Sequence, residues 1–402
     1  MFAWENPTGD IMALKDWINY ADYSDLQNFA YYPYETHNIV YEIGYNLYQV
    51  LGGLIAWIID VLFPNNGLST WLMSGPVVNL FAIVNLALII FLVIFTGVLV
   101  SLWQERKTLG RFMDRRGTQI GMKGFLQCVA DGFKTFMKEN TTPKKVDKMG
   151  YTWTLSLVIG TSVLVACMLP LSDRFYIVDY DAGFLIVMAI YALAPLFILV
   201  SGWAQNNKYT LIGGMRAAQS MISYEIPMLI TVCAVAILAG TFNIGGVVAA
   251  QNETMWYVIP MALGFIVFFT ASCAEAERTP FDLAESESEL VEGWQTEYAG
   301  MKWGLIMLGD YLRGFASCAM VSLLFLGGWN IAPFVSAEAN AFLPELVQLL
   351  KGWFVFFLMI WVRASLPRVR IDQILNLGWK VLTPLAIINL GIAVVLKTGG
   401  FF

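Results

Sequence analysis

The chain has 402 residues, of which 58% are hydrophobic and only 13% charged, with 24 basic side chains against 30 acidic ones. A soluble domain of this size carries about a quarter charged residues. Apolar runs of eighteen or more residues recur here, each able to cross a hydrocarbon core of ~30 Å as a helix. A soluble all-helical protein is thereby excluded, nucleic acid is not an expected partner, and the chain reads as an all-α polytopic membrane protein.

In chain order, the opening residues "MFAWENPTGDIM" have neither the basic start nor the apolar core of a signal peptide, so insertion rests with the spanning helices. Residues 1–42 are acidic and aromatic, with Lys15 their only Lys or Arg. Residues 43–63 are long enough to span yet carry Asn46, Gln49 and Asp60; a ninth spanning helix and an interfacial helix both fit. Residues 1–77 form an N-terminal extension ahead of a membrane domain at 78–402. In that domain the apolar runs predict eight spanning helices, near 78–103, 153–170, 183–203, 211–240, 256–273, 302–327, 345–363 and 379–396.

Basic residues set the orientation. Loops 104–150, 204–210, 274–301 and 364–378, with the helix ends beside them, collect 19 of the 24, whereas loops 241–255 and 328–344 hold none. The first group faces the cytoplasm, or an organelle's matrix or stroma, and the C-terminus faces the other side. The five cysteines are scattered without a CxxC pair, and His37 is the only histidine. Bis-His haem ligation and iron–sulfur spacing are both ruled out. The expectation is a chain that binds no cofactor or metal of its own, its cysteines acting as small buried hydrophobes.

Acids stand where apolar residues are expected. Glu225 lies in the middle of the apolar segment 211–240, two residues before Pro227. An intramembrane acid is a functional hypothesis by default, and the proline leaves the carbonyl of Ser223 without its usual partner. The segment "AEAERTPFDLAESESELVEGWQTEYAG" at 274–300 holds eight carboxylates and one cation, Arg278. Pro280 should end or bend the helix that arrives there. A helix over 281–293 would set Asp282, Glu285, Glu289 and Glu292 in one stripe, with Glu287 elsewhere. Such a stripe repels itself in water, whereas in a low-dielectric surround its members share protons. A solvated acidic loop is the plain alternative, but Leu283, Leu290, Val291 and Trp294 give the segment an apolar side that seeks burial. Asp310 and Arg313, three apart in "LGDYLRGF", have the spacing of a pair.

Five motifs resemble one family. They are "ERKTLGR" at 105–111, "FLQCVADGFKTFMKE" at 125–139, "SGWAQNNKYTLIGGMRAAQSMISYE" at 201–225, the acidic segment extended to Leu305, and "WVRASLPRVRIDQILNLGWK" at 361–380. In this order and spacing they are similar to one membrane component of proton-pumping NADH–quinone oxidoreductase, respiratory complex I: the H subunit in bacteria, subunit 1 in mitochondria. The likeness covers about 78–400. It departs from the family where "RRGTQIGMKG" lacks one residue and both prolines of the usual "RRGPNxxGPxG", and in the added N-terminal 77 residues.

The resemblance implies eight core helices, a quinone chamber at the cytoplasmic face shared with the peripheral arm, and quinone as substrate. FMN and iron–sulfur clusters belong to partner subunits. A buried proton path toward the antiporter-like subunits falls on Glu225, Glu275, Asp282, Glu285, Glu287, Glu289 and Glu297. Arg106, Arg111, Arg116, Arg278, Arg368 and Arg370 either line the chamber, dock the peripheral arm, or only fix topology. Partners are the peripheral-arm quinone-site and terminal iron–sulfur subunits, the small membrane subunits, the antiporter-like subunits and lipid. The location is the bacterial plasma (inner) membrane or an organelle inner membrane. The alternatives are the equivalent subunit of a membrane-bound hydrogenase or of a ferredoxin- or coenzyme F420-dependent dehydrogenase. A stand-alone secondary transporter is disfavoured by the missing inverted repeat.

Overall fold

The computed structural model describes residues 4–5, 11–12, 75–176, 179–284, 287–331 and 343–400. The ambiguous stretch 43–63, His37 and Glu285 lie outside the described residues. The chain divides into two units, 1–39 and 40–402. In the first, two-residue strands β1 (Trp4–Glu5) and β2 (Ile11–Met12) pair antiparallel, Trp4 opposite Met12, a small departure from the purely helical expectation.

The regular elements of the second unit are all helices among its described residues. Its helices are α1 (Gly75–Phe112), α2 (Phe125–Met137), α3 (Lys148–Met168), α4 (Gly183–Tyr191), α5 (Ala194–Ala204), α6 (Lys208–Ala239), α7 (Ile244–Glu253) and α8 (Ala262–Glu275). After the acidic loop come α9 (Met301–Phe325), α10 (Leu343–Ser365), α11 (Ile371–Asn376) and α12 (Thr383–Thr398). Every predicted span falls on helix. Five stretches, Lys148–Met168, Gly183–Ala204, Lys208–Ala239, Leu343–Ser365 and Ile371–Thr398, are long and apolar enough to cross a membrane, and Ala262–Glu275 is a shorter apolar helix.

Three spans depart from regular helix, each for a local reason. The predicted helix at 183–203 breaks into α4 and α5, because Pro195 near the start of α5 has no N–H for the carbonyl of Tyr191. The predicted helix at 256–273 begins late, at α8, after Pro260. The last span enters through a π-helical turn, Leu377–Leu382, before α12.

Side-chain caps set the starts of α3 and α6. The Asp147 carboxylate accepts the Met149 N–H at 3.2 Å ahead of α3, and the Asn207 carbonyl accepts the Tyr209 N–H at 3.1 Å ahead of α6. Gly240, at φ 81, ends α6 in the left-handed region.

Helix α6 is the hub, packed against α5, α8 and α12. It bears Pro227 and lies close to the π-turn: a Cβ on Gly378 would sit 3.0 Å from the Ser223 carbonyl oxygen, the one freed by the proline. The Trp379 indole N–H donates to Ser223 Oγ at 3.1 Å across the same contact. Irregular backbone at membrane depth is tolerated where protein or a cavity surrounds it; here two irregular turns face each other.

Candidate functional site

The acidic loop between α8 and α9 is not a helix. Among its described residues only the α-helical turn Glu287–Leu290 and the 3-10 turn Gly293–Gln295 are helical, while Glu277, Val291 and Gly293 have positive φ. The stripe expected from a helix over 281–293 is therefore absent. The chain instead folds back under the ends of α3, α5 and α6. Trp294 is fully buried. The Gln205 amide donates to the Trp294 carbonyl at 2.6 Å, the Asn207 amide to Glu297 Oε1 at 2.8 Å, and the Tyr151 hydroxyl to the Glu297 carbonyl at 2.9 Å. Tyr298 shares a 2.7 Å hydrogen bond with Ser201 and stacks on Tyr151. From the other side, the Val369 N–H donates to the Pro280 carbonyl at 3.1 Å. The apolar side of the loop has found its burial, and the solvated-loop alternative fails for 276–284 and 293–298.

This folding sorts the acids. Glu275 and Glu277 are buried, at 2% and 7% exposure. Glu225, on α6, is half-buried, with one carboxylate oxygen sequestered and lacking a partner among the described residues, and the same holds for one oxygen each of Glu275 and Glu277. Glu225 and Glu275 lie within electrostatic range of each other, as do Glu277 and Asp310. Burial pushes the Glu277 carboxyl well above the ordinary glutamate range; the Asp310 charge adds to this and the Arg313 guanidinium opposes it. Asp310 accepts from the Gln295 amide at 3.4 Å.

Asp310 and Arg313 do not form the two-membered pair their spacing suggests. Arg313, 3% exposed, serves Glu275, Glu277 and Asp310 together. Asp282 is held by Arg368 at 3.1 Å. Glu289 is set apart: its side chain is 53% exposed and paired with Arg216 at 2.5 Å. Glu297 is held at the loop's far end by Asn207. The side chains of Glu285 and Glu287 lie outside the described residues.

The cations also separate. The Arg278 guanidinium lies 3.5 Å from Glu105 near the C-terminal end of α1 and 4.2 Å from the Tyr311 ring. Glu105, 4% exposed, is also bound by Arg363 from α10. One buried carboxylate thus ties α1, the acidic loop and α10. The sequence does not mark Glu105 and Arg363 as a pair; its usable signal is a carboxylate at the end of a spanning helix. Arg106 pairs with Asp131 at 2.5 Å and fastens α2 to α1. Arg111, Arg116 and Arg370 are exposed. The variant loop after α1 curls back, its Arg115 N–H donating to the Gly110 carbonyl at 2.8 Å and the Trp103 indole N–H to the Lys123 carbonyl at 3.2 Å.

Removing Arg278 strands Glu105 with one partner fewer in a dry setting, a loss on the order of 3–5 kcal/mol for a buried pair. Arg174 sits exposed in the loop between α3 and α4, where an ion pair is worth about 0–1 kcal/mol. Arg278→Ala is accordingly expected to lower the amount of assembled complex on a native gel, and Arg174→Ala to leave it unchanged. Equal band intensities would remove the Glu105 tie.

Comparison with known proteins agrees with this architecture. Residues 85–394 match the NADH dehydrogenase family. Among curated proteins, the H subunits of NADH-quinone oxidoreductase from Bacillus thuringiensis (strain Al Hakam), Bacillus cereus (strain AH187) and Bacillus anthracis (strain A0248) are each 40% identical over 322 residues. That alignment covers 79% of this chain and 95% of each relative. With most of its membrane domain matched and its relatives covered nearly end to end, the chain belongs to the NADH dehydrogenase family.

Proposed function

We propose that the chain is the membrane subunit of a proton-translocating NADH–quinone oxidoreductase that shapes the quinone chamber and couples quinone reduction to proton movement. The observation that carries this reading is the acidic row of half-buried Glu225, buried Glu275 and Glu277 and half-buried Asp310, crossing from α6 through α8 to α9. Reduction of quinone in a closed chamber leaves negative charge and a demand for protons, felt over distance where water is excluded. The carboxylates answer by taking up or passing protons, and the change moves on through the membrane arm as a shift between states. The Glu105–Arg278–Arg363 tie holds the chamber-side ends of three elements in register. Electrons come from FMN and iron–sulfur clusters in partner subunits, and this chain supplies carboxylates, guanidinium groups and apolar walls. Its place is the plasma membrane of a bacterium, beside the peripheral-arm, small membrane and antiporter-like subunits.

Purification from native membranes tests the reading. An NADH-oxidising flavoprotein is expected among the co-purifying subunits, with quinone reduction by the purified assembly. A nickel–iron hydrogenase subunit in its place would overturn it.

A further inference from the structure

The acidic row does not end at Glu275. Ser272 lies three residues earlier on α8, on the same face and deeper in the membrane, and its hydroxyl is fully buried without a partner among the described residues. Tyr191, at the end of α4, is 2% exposed, and its hydroxyl likewise has no partner. Glu275, Arg313 and Cys318 are the charged or titratable groups within electrostatic range of that hydroxyl. Arg313 contributes a further buried N–H, at Nη2, without a partner. Native interiors leave few polar atoms in this state, and those that remain call for an explanation. Here Glu275 Oε1, Ser272 Oγ, Tyr191 Oη and Arg313 Nη2, from three separate elements, are all in it.

The backbone adds an independent sign. Tyr191 is the last residue of α4, at the break imposed by Pro195, roughly midway along the stretch Gly183–Ala204. Broken helices at membrane depth are tolerated where they line a cavity or are buried in protein, and in transporters they mark ion sites.

We propose that Tyr191 is a proton-relay residue that carries the path one step beyond Glu275, away from the cytoplasmic face. This rests on the carboxylate path of the proposed function. In the step, the Glu275 carboxylic acid gives its proton through one bridging water to Tyr191 Oη, as Tyr191 gives its own proton to a second water on its far side, which carries it on as hydronium. Tyr191 is neutral before and after, and Glu275 is left as carboxylate for the next proton from Glu225. Arg313 stands where it steadies the charged form of Glu275. Ser272, one turn deeper, offers a hydroxyl on the same route.

The test uses the assembled complex in sealed vesicles. Tyr191→Phe removes only the hydroxyl. Assembly and NADH oxidation by an artificial acceptor are expected to stay normal. Quinone turnover should fall roughly tenfold, at the low edge of what a positioned proton-transfer group contributes. The quinone KM should be unchanged, and the rate should become more sensitive to D2O than in the wild type. Wild-type turnover would overturn the relay. So would a raised KM with no change in the D2O effect, or failure to assemble, since either marks the hydroxyl as a structural bond. Glu275→Gln, measured alongside, separates the two levels: if it keeps full coupled turnover, the carboxylate path itself is wrong; if it loses turnover while Tyr191→Phe does not, only the relay is.

Discussion

Gly213→Ala is expected to abolish most coupled quinone reduction, although it adds a single methyl group. Gly213 lies on α6 against the acidic loop. A Cβ there would stand 2.7 Å from Gly293 Cα and 2.7 Å from the Trp294 nitrogen. These are backbone atoms, so no flexible side chain can swing aside. Either α6 or the loop must move, and overpacking of this kind costs about 1–3 kcal/mol. The loop is the weaker party. Its displacement strains the bonds from Gln205 to Trp294 and from Asn207 to Glu297, each worth about 1 kcal/mol. The same loop carries Glu277 and Asp282, so their positions go with it. At a few kcal/mol, the population holding the native arrangement falls by roughly ten- to a hundredfold. Gly160 on α3 is the control, since nothing stands within 4 Å of a Cβ there and alanine favours helix by about 1 kcal/mol. Gly160→Ala should leave activity intact. The measurement is quinone reduction normalised to assembled complex on a native gel. Wild-type activity in Gly213→Ala would mean that the loop is not clamped to α6.

Much of this architecture is legible in the sequence because its causes are local. The eight apolar runs predicted to span within 78–402 become helix over most of their length, since a helix satisfies its own backbone in hydrocarbon. Pro195 and Pro260 shorten or split helices at positions that hydropathy alone passes over, for hydropathy does not register a missing N–H. Glu225 and Glu275 are likewise conspicuous as acids in or at the end of apolar segments.

Long-range choices are not legible. That Arg278 reaches Glu105, far away in the sequence, depends on how α1 packs against the loop. That Glu289 falls outside the buried row depends on positive φ values at Glu277, Val291 and Gly293, which turn the loop away from helical spacing. Tyr191 is an ordinary tyrosine in an apolar run until the break at Pro195 and the approach of Arg313 give it a setting. The family resemblance places Glu289 on the proton path on motif grounds; its exposed pairing with Arg216 in this chain argues for a lesser part.

Glu225→Gln is expected to give an assembled complex that oxidises NADH normally with an artificial acceptor but reduces quinone, with proton pumping, at least roughly tenfold more slowly. Glutamine keeps the size and hydrogen-bonding capacity of Glu225 and removes only its ability to ionise. A buried neutral amide costs far less than a buried charge, so α6 should pack as before, with the Ser223–Trp379 bond in place. What disappears is a group that can hold a proton opposite Glu275. Glu225→Asp should retain part of the rate, because the charge remains on a stem one methylene shorter. Glu225→Gln combined with Glu275→Gln should be little worse than either alone, since residues serving one route do not add independently. Glu289→Gln should be mild, because an exposed pair such as Arg216–Glu289 is worth about 0–1 kcal/mol. Quinone reduction and the proton gradient are to be followed in the same vesicles after assembly is checked on a native gel. Full coupled activity in Glu225→Gln would take Glu225 out of the mechanism and leave its half-buried carboxylate as a structural oddity of α6. Equal losses from Glu225→Gln and Glu289→Gln would mean that burial does not distinguish working carboxylates from surface ones, and the route would have to be redrawn through the exposed face of the loop.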